Sequence, residues 1–164
     1  MDPFLRKSRA KTPYPYFQPV RVDGAQIAAA ARLYIGAKYQ HGAAFESGFI
    51  AVCDCAGLVL LVWRRLGLIG KDFDLSLPYA NLKISRAGAL MAILRANYKP
   101  TKTPRAGDLI ISKGNRHVSI MTDDAGHIAS AQESAGRVVE RLIGIEDRPF
   151  TAWTLKARNR AEVK

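Results

Sequence analysis

The stretch CDCAGLVLLVWRR (residues 53–65) carries both cysteines of the chain, two positions apart, directly ahead of an apolar run. Asp54 is a good helix N-cap. Cys55, Leu58, Val59, Val62 and Leu66 recur at helical spacing, and Gly67 is a stop signal. The stretch therefore reads as a capped helix starting at Asp54 or Cys55. Its first turn holds Cys55, where unpaired backbone N–H groups and the helix dipole favour thiolate over thiol. Cys53 lies ahead of the helix and gets less of that help. Gly57 permits close approach of the helix start to another backbone or to substrate. Two readings of Cys55 stand at this point. It is either a small buried hydrophobe, as free cysteines in apolar segments commonly are, or a nucleophile that requires a base. A bridge between the two cysteines would close a very small, strained ring. A structural zinc would want a second Cys/His cluster, and His41, His117 and His127 are scattered singly. Neither a metal nor another cofactor is expected.

Outward from this helix, Asp23 caps an earlier one through GAQIAAAARLYIG (residues 24–36), with Ile27, Ala31 and Tyr34 on one face and Gly36 at its end. Residues 37–52 read as a loop or short extended stretch. Residues 68–84 are turn-rich around Pro78, and Ser85 caps a predicted third helix over residues 86–97. The period then changes. AGDLIIS (106–112) and HVSIMT (117–122) are short apolar strands joined by the turn composition KGNR (113–116), which predicts a hairpin. GHIASAQ (126–132), RVVERLIG (137–144) and AWTLKAR (152–158) continue as strands. Helices first and a strand meander afterwards predict an α+β domain with an antiparallel sheet. The domain is expected over 23–155, between an extended, basic, proline-rich arm (1–22) and a basic tail (156–164). The arm's aromatics need cover from the domain or from a partner.

His117 opens a strand just after the hairpin turn. From there it can face the N-terminus of a packed helix and set an imidazole beside the Cys55 thiol, the pairing that activates a thiol for acyl transfer.

The segments DCAGL (54–58), RAGDLIIS (105–112) and HVSIM (117–121), with GAKYQHGA (36–43) upstream, resemble in order the motifs of the NlpC/P60 family of papain-like cysteine peptidases. The resemblance covers about residues 23–153. It implies a papain-like fold with N-terminal helices packed on a C-terminal antiparallel sheet. It implies Cys55 as nucleophile, His117 as general base and then acid, and Tyr39 with the Cys55 N–H around the oxyanion. His41, Asp54 and Gln132 are expected on the substrate-binding side. Three departures from the family pattern stand out. Ala56 replaces a serine, His41 replaces a tryptophan, and the third catalytic position, commonly histidine, is Ser130. Serine orients imidazolium less well, and Gln132, on the same strand face, is a substitute. His127 points to the other face and reads as surface or structural. Members of the family hydrolyse stem peptides of peptidoglycan. The long middle stretch and GRVVE (136–140) look most like members encoded beside phage-tail and gene-transfer-agent genes.

The chain has 164 residues and a formal net charge of +11, much of it at the two ends. The excess suits anionic partners, nucleic acid included, but no nucleic-acid motif accompanies it. No apolar run is long enough for a membrane span, and the N-terminus lacks the apolar core of a signal peptide. The resulting expectation is a peptidoglycan endopeptidase made in the cytoplasm and carried in a virion tail, its N-terminal arm docked on tail or hub proteins. The alternative is a structural tail-tip or hub subunit with the same fold and weak or no catalysis.

Overall fold

The computed structural model describes residues 17–73, 75, 94–114 and 116–161. Asp23 caps helix α1 (Gly24–Arg32) in a capping box with Gln26: the Asp23 side chain accepts from the Gln26 N–H, and the Gln26 side chain accepts from the Asp23 N–H. Helix α2 (Cys55–Arg65) is capped by Asp54, as its sequence dictates. The predicted amphipathic stripe understates its burial, because every residue from Gly57 to Trp63 is buried. A run this apolar has no polar face to offer to water, and the sheet wraps it on several sides.

Among the described residues nine strands form that sheet: β1 (Lys38–Tyr39), β2 (Ala44–Ser47), β3 (Ile50–Cys53), β4 (Tyr98–Thr101), β5 (Leu109–Ser112), β6 (His117–Met121), β7 (His127–Gln132), β8 (Arg137–Leu142) and β9 (Thr151–Leu155). Their order is β2-β3-β1-β8-β7-β6-β5-β9-β4. Between these strands the pairings are antiparallel except β1 with β3, which sets Tyr39 beside Cys53. The stretch read as loop or short extended chain thus supplies three strands, each too short to show alternation in sequence. The hairpin between β5 and β6 forms where expected, with Lys113 and Gly114 both at positive φ. Strand β4, around Pro100, sits at the sheet edge, where a proline costs no ladder bond. Residues 94–97 are helical; the rest of the predicted third helix lies outside the described residues.

The core joins α1, α2 and one face of the sheet. Val118, Ile120, Ala129, Ala131 and Val138 share one buried cluster with Leu58, Leu61 and Val62 of α2. Trp63 and Tyr98 lie at its far end, both buried, with the indole N–H donating to the phenol oxygen at 2.8 Å. Phe17 covers both rings edge-on, its centroid 4.9 Å from that of Trp63. Of the aromatics in the arm, Phe17 is therefore covered by the domain itself. Residues 156–161, within the stretch set apart as a basic tail, are bonded into the fold. Lys156 and Arg158 donate to carbonyls at the end of the 94–97 turn, and Arg160 pairs with buried Asp108.

Candidate active site

The N-terminus of α2 is held by a double brace. Asp54 Oδ1 accepts from the Gly57 N–H at 2.8 Å, and its Oδ2 accepts from the Gly42 N–H at 2.9 Å. The carboxylate thus ties the turn carrying His41 to the helix carrying Cys55. The contact is close enough that a Cβ on Gly57 would lie 2.0 Å from the Ala43 carbonyl oxygen. Glycine at position 57 is needed for this backbone approach, as the sequence reading supposed. Asp54 itself is buried, with both oxygens bonded to backbone. In this structure it braces the helix start against the turn at Gly42.

The two cysteines differ sharply. Cys53 ends β3 inside the core, and burial, with smaller contributions from Asp54 and Cys55, pushes its thiol up to about 12. Cys55 is the first residue of α2 and is partly exposed. Its Sγ lies 4.0 Å from the carbonyl oxygen of Arg116, the residue before His117, which brings the helix N-terminus to the start of β6.

Strands β6 and β7 pair only at Ile120–Ala129 and Met121–Ile128. Past Met121 the backbone carries on, with the Thr122 N–H donating to the His127 carbonyl, and towards His117 side chains make the connection. His117 Nε2 lies 2.8 Å from Ser130 Oγ and 3.3 Å from Ser119 Oγ. Both serines are buried. With Nε2 so occupied, Nδ1 is the ring nitrogen left for another partner. Burial, then the charge of Lys113 and more weakly that of Arg141, lowers His117 from 6.5 to about 4, with Asp147 pulling the other way. The site favours neutral imidazole.

Gln132 does not reach His117 as the substitute group. Its carboxamide oxygen, turned towards Arg141, accepts from Nε at 2.6 Å and Nη2 at 3.1 Å. Arg141 also grips buried Asp147 with two bonds, of 2.6 and 2.8 Å. The Gln132 oxygen thus faces Arg141 rather than the imidazole. Tyr39 is half-buried in β1 beside Cys53, and His41 is exposed in the turn held by Asp54. His127 is set apart from the cluster, paired with Asp123 at 2.6 Å near the surface. Ser119 went unnoticed in the sequence although it stands two residues from His117 on one strand, where period-two alternation puts them on the same face. Asp147 left no such signal. It lies 30 positions from His117, on a segment without periodicity.

This arrangement defines the class: an α+β fold with a helix-start cysteine and a strand-start histidine. No family model matches the sequence, and no curated protein matches it. Among solved structures, the peptidoglycan hydrolase RipB from Mycobacterium tuberculosis superposes with a TM-score of 0.55 at 21% identity, over 81% of this chain and 65% of that one. NlpC2 from Trichomonas vaginalis gives 0.50 at 14% identity, over 86% of this chain and 51% of that one. The chain thus spans a little under two thirds of the first and about half of the second. At these identities the likeness is one of fold. It agrees with the fold expected from the NlpC/P60 resemblance.

Proposed function

We propose that this protein is a cysteine peptidase that cleaves peptide bonds in the stem peptides of peptidoglycan. The observation that carries the reading is the 4.0 Å approach of the Cys55 thiol to the backbone carbonyl of Arg116, the residue before His117, together with the hydrogen bond between His117 Nε2 and Ser130. In this reading Nδ1 of His117 takes the thiol proton as Cys55 Sγ attacks the substrate carbonyl carbon. The oxyanion is met by the Cys55 N–H at the helix start, with Tyr39 alongside. His117 then returns the proton to the departing amine, and water hydrolyses the thioester with His117 again as base. Ser130 holds the ring. The shared fold with a protein described as a peptidoglycan hydrolase supports the substrate class. Carriage in a virion tail, with docking through residues 1–22, rests on the sequence resemblance alone.

A specific observation favours the second reading, a structural tail subunit. The third position is a neutral serine, and His117 is depressed to about 4, both of which disfavour imidazolium. One experiment separates the two. The protein and its Cys55→Ala variant are incubated with purified peptidoglycan, and released fragments are identified by mass spectrometry. Peptide-bond cleavage products from the wild type alone support the peptidase. No fragments from either protein favour the structural subunit.

A further inference from the structure

Two buried hydroxyls, rather than one, converge on Nε2 of His117: Ser130 Oγ at 2.8 Å and Ser119 Oγ at 3.3 Å. The two serines are 0% and 1% exposed, so water does not compete for them. We propose that Ser119 is a positioning residue, sharing His117 Nε2 with Ser130 so that two weak acceptors stand in for one strong one. The inference rests on the reading of Cys55 and His117 given above.

The physical argument concerns the ring tautomer. With the proton on Nε2, both serine oxygens face an N–H, Ser130 as the short acceptor and Ser119 as the longer one. With the proton on Nδ1, only one hydroxyl hydrogen can point along the Nε2 lone pair. The other oxygen then turns its own lone pairs towards that nitrogen. Two oxygens at one nitrogen therefore favour the Nε2–H form and leave the Nδ1 lone pair free to accept the thiol proton. Once Nδ1 is protonated, the same two dipoles face the charged ring. Of the charges acting on His117, Lys113 and Arg141 oppose protonation and Asp147 favours it, so the hydroxyls carry added weight. Because they share one nitrogen, removing either leaves a partner behind, and removing both does not.

The test uses readouts that need no peptidoglycan. Ring nitrogens of 15N-histidine-labelled protein are followed by long-range 1H–15N NMR, and the Cys55 alkylation rate by iodoacetamide is measured across pH. Ser119→Ala, Ser130→Ala and the double variant are compared, with denaturation midpoints confirming that each folds. The single variants are expected to raise the Nδ1–H population and slow alkylation modestly. The double variant should slow it on the order of 10-fold or more, beyond the product of the singles. A purely structural serine would shift the denaturation midpoint and leave the tautomer ratio alone. The proposal is overturned if Ser119→Ala changes neither tautomer nor alkylation, whether it is made in the wild type or on top of Ser130→Ala. Should both readouts respond while the wild type releases no peptidoglycan fragments, the positioning role stands and the hydrolase reading falls.

Discussion

Asp54 and Gly42 are joined at 2.9 Å, carboxylate to backbone N–H, by the same side chain that caps α2 at Gly57. One buried residue therefore sets both the helix start that carries Cys55 and the turn that carries His41. Asp54→Ala removes the cap, worth about 1 kcal/mol, and strands a partly buried N–H at Gly42, for a total loss of about 2–4 kcal/mol. Asp54→Asn keeps a capping oxygen and should lose about half as much. Urea denaturation of both variants measures this, and equal losses would argue against the double brace.

The contrast between the cysteines gives a sharper test. Cys53 is fully buried and its thiol is pushed up to about 12, whereas Cys55 is partly exposed at a helix start. Iodoacetamide at pH 8 on the folded protein should label Cys55 and spare Cys53, with Cys53 reacting only after denaturation. Peptide mapping by mass spectrometry reads out each site. Labelling of Cys53 in the folded state at a comparable rate would mean that the β3–α2 junction opens readily.

The parts of this molecule legible in the sequence are those written in local pattern. The cap and stop of α2, the turn between β5 and β6, and the later strands declare themselves through Asp54, Gly67, the 113–116 composition and short apolar runs. Ser130 came from motif order and does meet His117. What the sequence concealed depends on pairing across the sheet. Strand β1 is two residues long and has no period of its own. Gln132 shares a face with Ser130, yet which neighbour it bonds is decided by Arg141 on β8, a charge no local pattern ties to it. Asp54 carries a related ambiguity. A capping aspartate looks the same in sequence whether its second oxygen faces a ligand or the Gly42 N–H.

His117 links stability to pH with a defined sign. Its folded value, about 4, lies below the ordinary 6.5, so between these limits the unfolded chain holds a proton that the folded chain does not. Stability from this group is therefore complete above about pH 6.5 and is lost as pH falls towards 4. The shift corresponds to on the order of 3 kcal/mol. Asp147 and Glu140 are lowered too, by hydrogen bonds to Arg141 and to Thr122 and Arg32, and they act in the same direction below the ordinary carboxylate range. His117→Asn should flatten the wild-type fall in urea midpoint between pH 6.5 and 4.5 while leaving the steeper fall at lower pH. Parallel curves for the two proteins would show that burial does not hold this imidazole neutral.

The Arg141–Asp147 pair should behave as a buried ion pair. Asp147 is 1% exposed and takes two bonds from the guanidinium and one from the Gly144 N–H. Arg141, itself partly exposed, also holds the Gln132 amide beside the strand that carries Ser130. Arg141→Ala leaves a buried carboxylate with only a backbone donor, and its loss is expected at about 3–5 kcal/mol. Adding Asp147→Asn to that variant removes the uncompensated charge and should restore part of the loss, a coupling that a double-mutant cycle measures directly. The same cycle followed by the Cys55 alkylation rate asks whether the pair steadies β7 beneath the site. A rate that falls in Arg141→Ala and recovers in the double variant ties the pair to the site through Gln132. If Arg141→Ala costs less than about 1 kcal/mol, the value expected of an exposed ion pair, Asp147 is not held as a buried charge and that link is absent.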